Sequence, residues 1–197
     1  VQEKHLTLAL ARAVAERLER RHIPTRLTRE GDEYVSLRER TRRANASGAA
    51  LFISLHANAS PAHSQRGFET YLLTPQALDV DARALRVHEG RPRPGVAPDT
   101  AILLDDVERG LAHRSSAGLA AAVQEQLAAR RDPGTDRGVR QASMDVLYGA
   151  TMPAVLVEVG FIDHPVEGPE LLDPAVLAEL ADAIADAAAS QLAIEIE

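Results

Sequence analysis

The stretch Pro153-Ala-Val-Leu-Val-Glu158-Val-Gly-Phe161 constrains the fold more than any other part of the chain. It sets one carboxylate in a run of aliphatic residues that reads as a strand buried on both faces. An ionised carboxylate in such a place is costly unless it is paired, hydrogen-bonded or close to a metal. Glu158 therefore needs a partner. A second strand of the same kind, Leu51-Phe-Ile-Ser-Leu-His56-Ala-Asn58, carries an imidazole where its apolar run ends. Two strands that each deliver an ionisable group at the C-terminal end form the halves of a site, since α/β sheets place ligands at that edge.

The size of the chain limits what that site can belong to. With 197 residues, 45% of them hydrophobic, it suits a single domain over 1–197 with one sizeable core. Its 22 Lys and Arg stand against 29 Asp and Glu, and the net charge of -7 argues against nucleic acid or an anionic membrane as a partner. Cysteine is absent, which excludes a disulfide framework and a thiolate zinc site, so any metal must be held by His, Asp or Glu. No segment is long and apolar enough to insert into a membrane. The opening Val1-Gln-Glu-Lys-His5 lacks the apolar core of a signal peptide. A monomer is expected.

Residues 2–20 read at once as an amphipathic helix with Leu6, Leu10, Val14 and Leu18 on one stripe. Glu3 lies at the N-terminal end of that stripe, so its carboxylate is expected to point inward. A strand over 23–29 and a polar loop follow. Ser36 and Glu39 have the spacing of a capping box for a helix that ends before Gly48. Further strands are expected at 51–55, 67–73, 146–148 and 154–159. Helices are expected at 75–89, from Ser115 or Ser116 to before Asp132-Pro-Gly134, and from Asp173-Pro174 onward, with an irregular linker over 90–95. Strands alternating with helices, without an internal repeat, indicate a three-layer α/β/α sandwich around a mostly parallel central sheet. Because such a domain ordinarily opens on a strand, a first strand is expected upstream of Val1.

Seven blocks in order resemble the zinc-dependent N-acetylmuramoyl-L-alanine amidases that cleave bacterial peptidoglycan. They are Glu3-Lys4 with its helix, Thr28-Arg29, Ser36-Leu-Arg-Glu-Arg40, Ser54-Leu-His-Ala-Asn58, Gly67-Phe-Glu-Thr-Tyr71, Arg137-Gly-Val-Arg140, and the Glu158 strand. The resemblance implies that Glu3 and His56 bind Zn2+, that Glu158 is the catalytic carboxylate, and that the substrate is peptidoglycan. The bond cut would be the amide between N-acetylmuramic acid and L-alanine. The resemblance also implies a further zinc ligand, a His in a Gly-His-Gly-Gly turn before the Glu3 helix, which this sequence does not contain. An extracytoplasmic location, in the periplasm or cell wall, follows by the same inference, with an export signal expected upstream. At Asp163-His164 the chain departs from the family's usual Ser or Thr followed by Asn, and no family role transfers to His164.

These residue types fit amide hydrolysis. A zinc with an open position activates water, and a nearby carboxylate takes its proton and passes it to the leaving amine. Other readings compete with each assignment. Glu158 could instead pair with an Arg of 137–140, and Glu3 could be a solvated first-turn acid. Glu69, in the alternating run Phe68-Glu-Thr-Tyr71, reads as exposed, His63 as a solvated loop residue that could in principle replace the missing ligand, and His5 as unable to share a metal with Glu3. A catalytically silent, amidase-like binding module and a zinc peptidase of similar layered fold remain as alternatives.

Overall fold

The computed structural model describes residues 2–74 and 98–194, and the side chains of 98–109 and 194 are not described. The helix expected at 75–89 and the linker at 90–95 lie outside the described residues. In chain order the elements are α1 (Glu3–Glu19), α2 (Leu37–Ser47), β1 (Phe52–Asn58), β2 (Phe68–Leu73), α3 (Pro98–Ala128), β3 (Asp136–Ala142), β4 (Ala154–Phe161), α4 (Glu167–Glu170) and α5 (Pro174–Ile194).

The four strands form a single sheet in the order β1-β4-β2-β3. The β1–β4 and β2–β3 ladders are parallel, and the central β2–β4 ladder is antiparallel. The C-terminal ends of β1 and β4 therefore meet the N-terminal ends of β2 and β3 at one edge. Alternation along each strand divides the side chains between two faces. On one face Val155, Val157 and Val159 pack with Phe68 and Leu72 against α1, α3 and α5, through Leu6, Leu10, Leu119, Val123, Leu180 and Ile184. On the other, Phe52, Leu73, Ala154 and Leu156 pack under Ala44 of α2 and under Val146 and Leu147. The apolar cover on this second face ends before the edge where β1 and β4 finish, and polar side chains take its place there.

Local chemistry explains the ends of the helices. Ser36 Oγ accepts the Glu39 backbone N–H at 3.3 Å, and Gly48 closes α2 in the left-handed region. The capping box is half formed, because the Glu39 carboxylate turns outward to Arg42 and Arg43. The Asp173 carboxylate accepts the Ala175 N–H at the start of α5.

Four expectations are corrected. Residues 23–29 have no sheet partner among the described residues, and a cavity of about 830 Å³ separates them from β1, one of the two edge strands of the described sheet. The short strand expected at 146–148 is a 3-10 turn, Asp145–Leu147, and the neighbouring strand is Asp136–Ala142, whose polar sequence hides it from any period-two pattern. α3 does not begin at Ser115 or Ser116 but runs through them. Ser116 is buried, donates to the Ala112 carbonyl within its helix, and accepts the Ala154 N–H at 2.9 Å, so it joins α3 to the start of β4 rather than capping a helix. Glu69 is not exposed: its residue is 2% accessible.

Candidate active site

The three ionisable groups singled out from the sequence converge. His56 and Glu158 are directly opposite one another in the β1–β4 ladder, and Glu69 is directly opposite Glu158 in the β2–β4 ladder. Residues opposed in this way share a face, so His56, Glu158 and Glu69 form a row across three strands. Glu3 completes the group from the first turn of α1: its Oε1 lies 3.0 Å from His56 Nδ1 and accepts the Ala57 N–H at 3.3 Å. The other ring nitrogen, Nε2, is 3.0 Å from Ser54 Oγ. Alternation along β1 puts Ser54 and His56 on the same face, which is why the Ser-x-His spacing allows this contact.

The electrostatics differ from one carboxylate to the next. Glu3 is held below its ordinary value by the hydrogen bond from His56, with the Ala57 N–H and Arg40 helping and partial burial opposing. Glu158 is pushed up to about 7, first by burial and then by the neighbouring charges of Glu3 and Glu69, against the opposing influence of His56. Among the described residues its Oε2 is buried without a hydrogen-bond partner. A buried polar atom without a partner in a native fold needs an explanation, such as a bound water or ion or a catalytic role.

The positively charged residues near this row do not go to Glu158. Glu69 Oε2 takes Arg137 Nε at 3.0 Å and Arg140 Nε at 2.8 Å, and Glu69 Oε1 takes Asn58 Nδ2 at 3.2 Å and Tyr71 Oη at 2.9 Å. The alternative pairing of Glu158 with an Arg of 137–140 is thereby answered, since Glu69 receives both guanidinium groups. Sequence patterning missed Glu69 because Phe68-Glu-Thr-Tyr71 alternates like a half-exposed strand. The signal that could have found it is the pair of arginines in Arg137-Gly-Val-Arg140.

The unusual Asp163-His164 pair also has a clear placement. Asp163 Oδ2 accepts the Ser60 N–H at 2.9 Å and lies 2.7 Å from His63 Nδ1, which ties the loop after β1 to the loop after β4. His63 is thus committed to Asp163. His164 Nδ1 accepts the N–H groups of Val166 and Glu167 and so supports the turn into α4.

Among the described residues no three His, Asp or Glu side chains are grouped closely enough to hold a metal ion. A carboxylate and an imidazole are the donor types a catalytic zinc takes, so Glu3 and His56, 3.0 Å apart, are described residues that could hold a cation.

A mixed sheet covered by helices, with an imidazole–carboxylate cluster where its strands end, is an α/β enzyme architecture. Solved structures share it: AmiC2, an N-acetylmuramoyl-L-alanine amidase of Nostoc punctiforme, superposes with a TM-score of 0.73 at 25% identity, covering 96% of this chain and 84% of that one. The catalytic domain of CwlV from Bacillus (Paenibacillus) polymyxa var. colistinus gives 0.66 at 27%, covering 97% and 85%. The chain belongs to the N-acetylmuramoyl-L-alanine amidase family, whose model matches residues 1–190. Among its relatives are AmiC of Neisseria meningitidis serogroup B, 32% identical over 85% of this chain and 42% of that protein, and AmiA of Escherichia coli K12, 31% identical over 94% and 66%. The chain thus spans from under half to about two thirds of the length of these relatives.

Proposed function

We propose that the chain is the catalytic unit of a peptidoglycan amidase, which hydrolyses the amide between the lactyl group of N-acetylmuramic acid and L-alanine of the stem peptide. The observation that carries this reading is the row of His56 and Glu158 on adjacent strands, with Glu3 seated on His56. Family membership and the names of the relatives supply the substrate class.

Glu3 Oε1 and His56 Nδ1 lie 3.0 Å apart, and the pair would hold a cation in place of a proton between them. Ser54 and the Ala57 N–H hold the two side chains in place from behind. Zinc, when bound, supplies Lewis-acid chemistry at the scissile carbonyl and at the attacking water. Glu158, with an unpartnered oxygen and a pKa near 7, is suited to take a proton from that water and hand it to the leaving nitrogen. A third zinc donor has to come from outside the described residues. The cavity beside the free edge of β1, walled by 23–29 and floored by α1 and α5, has room for a further strand of the sheet, which supports the expectation of one more strand there. Because peptidoglycan lies outside the cytoplasmic membrane, the reading puts the protein's action in the periplasm or cell wall. No helix among the described residues is long and apolar enough to cross a membrane.

The experiment is digestion of purified peptidoglycan by the zinc-loaded protein, followed by identification of the fragments. Release of intact stem peptides with a free L-alanine amine supports the reading. Cleavage of free peptides in preference to peptidoglycan would replace it with a zinc peptidase. The lack of a three-donor group among the described residues favours one second reading, a silent binding module. Retention on peptidoglycan without zinc uptake or cleavage would identify that module.

A further inference from the structure

Glu69 has more cationic neighbours than its burial requires. One guanidinium would compensate a carboxylate that is 2% accessible, yet Arg137 and Arg140 both reach its Oε2, at 3.0 and 2.8 Å. Arginine is always charged, so the trio carries an excess of one positive charge in a protein whose net charge is -7. The two guanidinium groups are not equivalent. Arg137 also donates to Gln65 Oε1 at 3.2 Å and lies over the Phe161 ring, so its outer face is occupied. Arg140 keeps 47% of its side chain exposed, and among the described residues its Nη1 and Nη2 donors have no partner.

A backbone device puts both on one face. Residues three apart in a regular strand point to opposite faces, but β3 carries one extra residue between its pairings Phe68↔Asp136 and Thr70↔Val139. The extra residue is accommodated at Gly138, whose φ of +79° suits glycine. The bulge turns Arg137 and Arg140 together toward Glu69, next to Glu158.

We propose that Arg140, held by Glu69, is a subsite for a carboxylate on the peptide half of the substrate. This rests on the amidase reading. Of the two halves joined by the scissile amide, only the stem peptide carries carboxylates, and a half-exposed guanidinium whose parallel Nη donors have no partner among the described residues matches a carboxylate in geometry as well as charge. Arg140 makes the contact. Glu69 is a positioning residue that fixes the Nε edge of the fork and leaves the Nη edge outward.

The test is calorimetric binding of a stem-peptide fragment beginning with L-alanine and carrying free carboxylates, compared with the same peptide fully amidated. It is run on the wild-type chain, Arg140→Gln, Arg140→Lys and Glu69→Gln, with circular dichroism to show that each variant is folded. The wild type is expected to bind the acid about tenfold or more tighter than the amide. In Arg140→Gln the two peptides should bind within about twofold of each other, and Arg140→Lys should recover part of the preference. Glu69→Gln, with Arg140 released, should lose most of it. Equal binding of acid and amide by the wild type, or full preference retained in Arg140→Gln, overturns the subsite. The zinc-loaded protein separates this from the parent reading. Cleavage of peptidoglycan without any dependence of KM on the carboxylates sinks the subsite alone. Carboxylate-dependent binding without cleavage leaves the subsite standing and removes the amidase.

Discussion

Glu158 is the residue at which stability and chemistry oppose each other. Its pKa near 7 means that the folded chain retains a proton that the unfolded chain releases at about 4.5. Stability is therefore fully present below pH 4.5 and falls as pH rises toward 7, by up to ~3 kcal/mol for a shift of this size. Glu158→Gln removes that titration. In the metal-free protein the variant is expected to gain stability at pH 8 and to lose the corresponding slope between pH 5 and 7, as measured by urea unfolding across that range. In the zinc-loaded protein the same substitution should keep the metal and lower turnover about 10²-fold or more, because the proton acceptor is gone. Near wild-type turnover would remove Glu158 from the mechanism. Glu69 behaves differently. Cutting it to Ala leaves Arg137 without its buried partner and is expected to cost about 3 kcal/mol, read as a lower urea midpoint, with the partly exposed Arg140 contributing little of that loss.

At the scale of elements, buried polar side chains join pieces of chain that are distant in sequence. Glu167 is 4% accessible, accepts the Gly67 N–H with both oxygens at 3.0 and 3.1 Å, and accepts the Phe161 N–H at 2.7 Å. It thus fixes the entry to β2 against the exit of β4, at the edge that carries His56 and Glu158. Gly67 has a φ of +106°, and a Cβ there would stand 2.1 Å from the Thr135 carbonyl oxygen. Gly67→Ala is expected to cost at least about 2 kcal/mol, because backbone strain and a backbone clash combine and neither can be relieved by rotating a side chain. A urea midpoint unchanged from wild type would refute the account of this turn. Helices α1, α2 and α5 were legible in the sequence through the periods and capping signals of their residues, and β1 and β4 because their apolar runs are nearly continuous. Strand β3 was not. Its residues are polar, and it exists because β2 offers it a ladder and Glu69 offers its arginines a partner.

For the whole molecule, the sheet of the described residues has two strands paired on both sides, β4 between β1 and β2 and β2 between β4 and β3, and an edge strand, β1, whose outer side faces the cavity before 23–29. Amide hydrogen exchange should follow that arrangement, with β4 and β2 protected to near the global unfolding free energy and, while no further strand fills the cavity, the outward amides of β1 exchanging through much smaller openings. Uniform protection across these strands would mean that the free edge of β1 is covered in solution. The sequence alone determined α1, α2 and α5, the two buried strands, and the place of Glu3 at the end of the apolar stripe of α1, since period, capping and the cost of an unpartnered carboxylate are local properties. Only the tertiary structure decided the direction of β2 against β4, the burial of Glu69, and the assignment of both arginines to it. Strand pairing and charge neutralisation depend on which distant segments come together, and no local pattern in the chain records that.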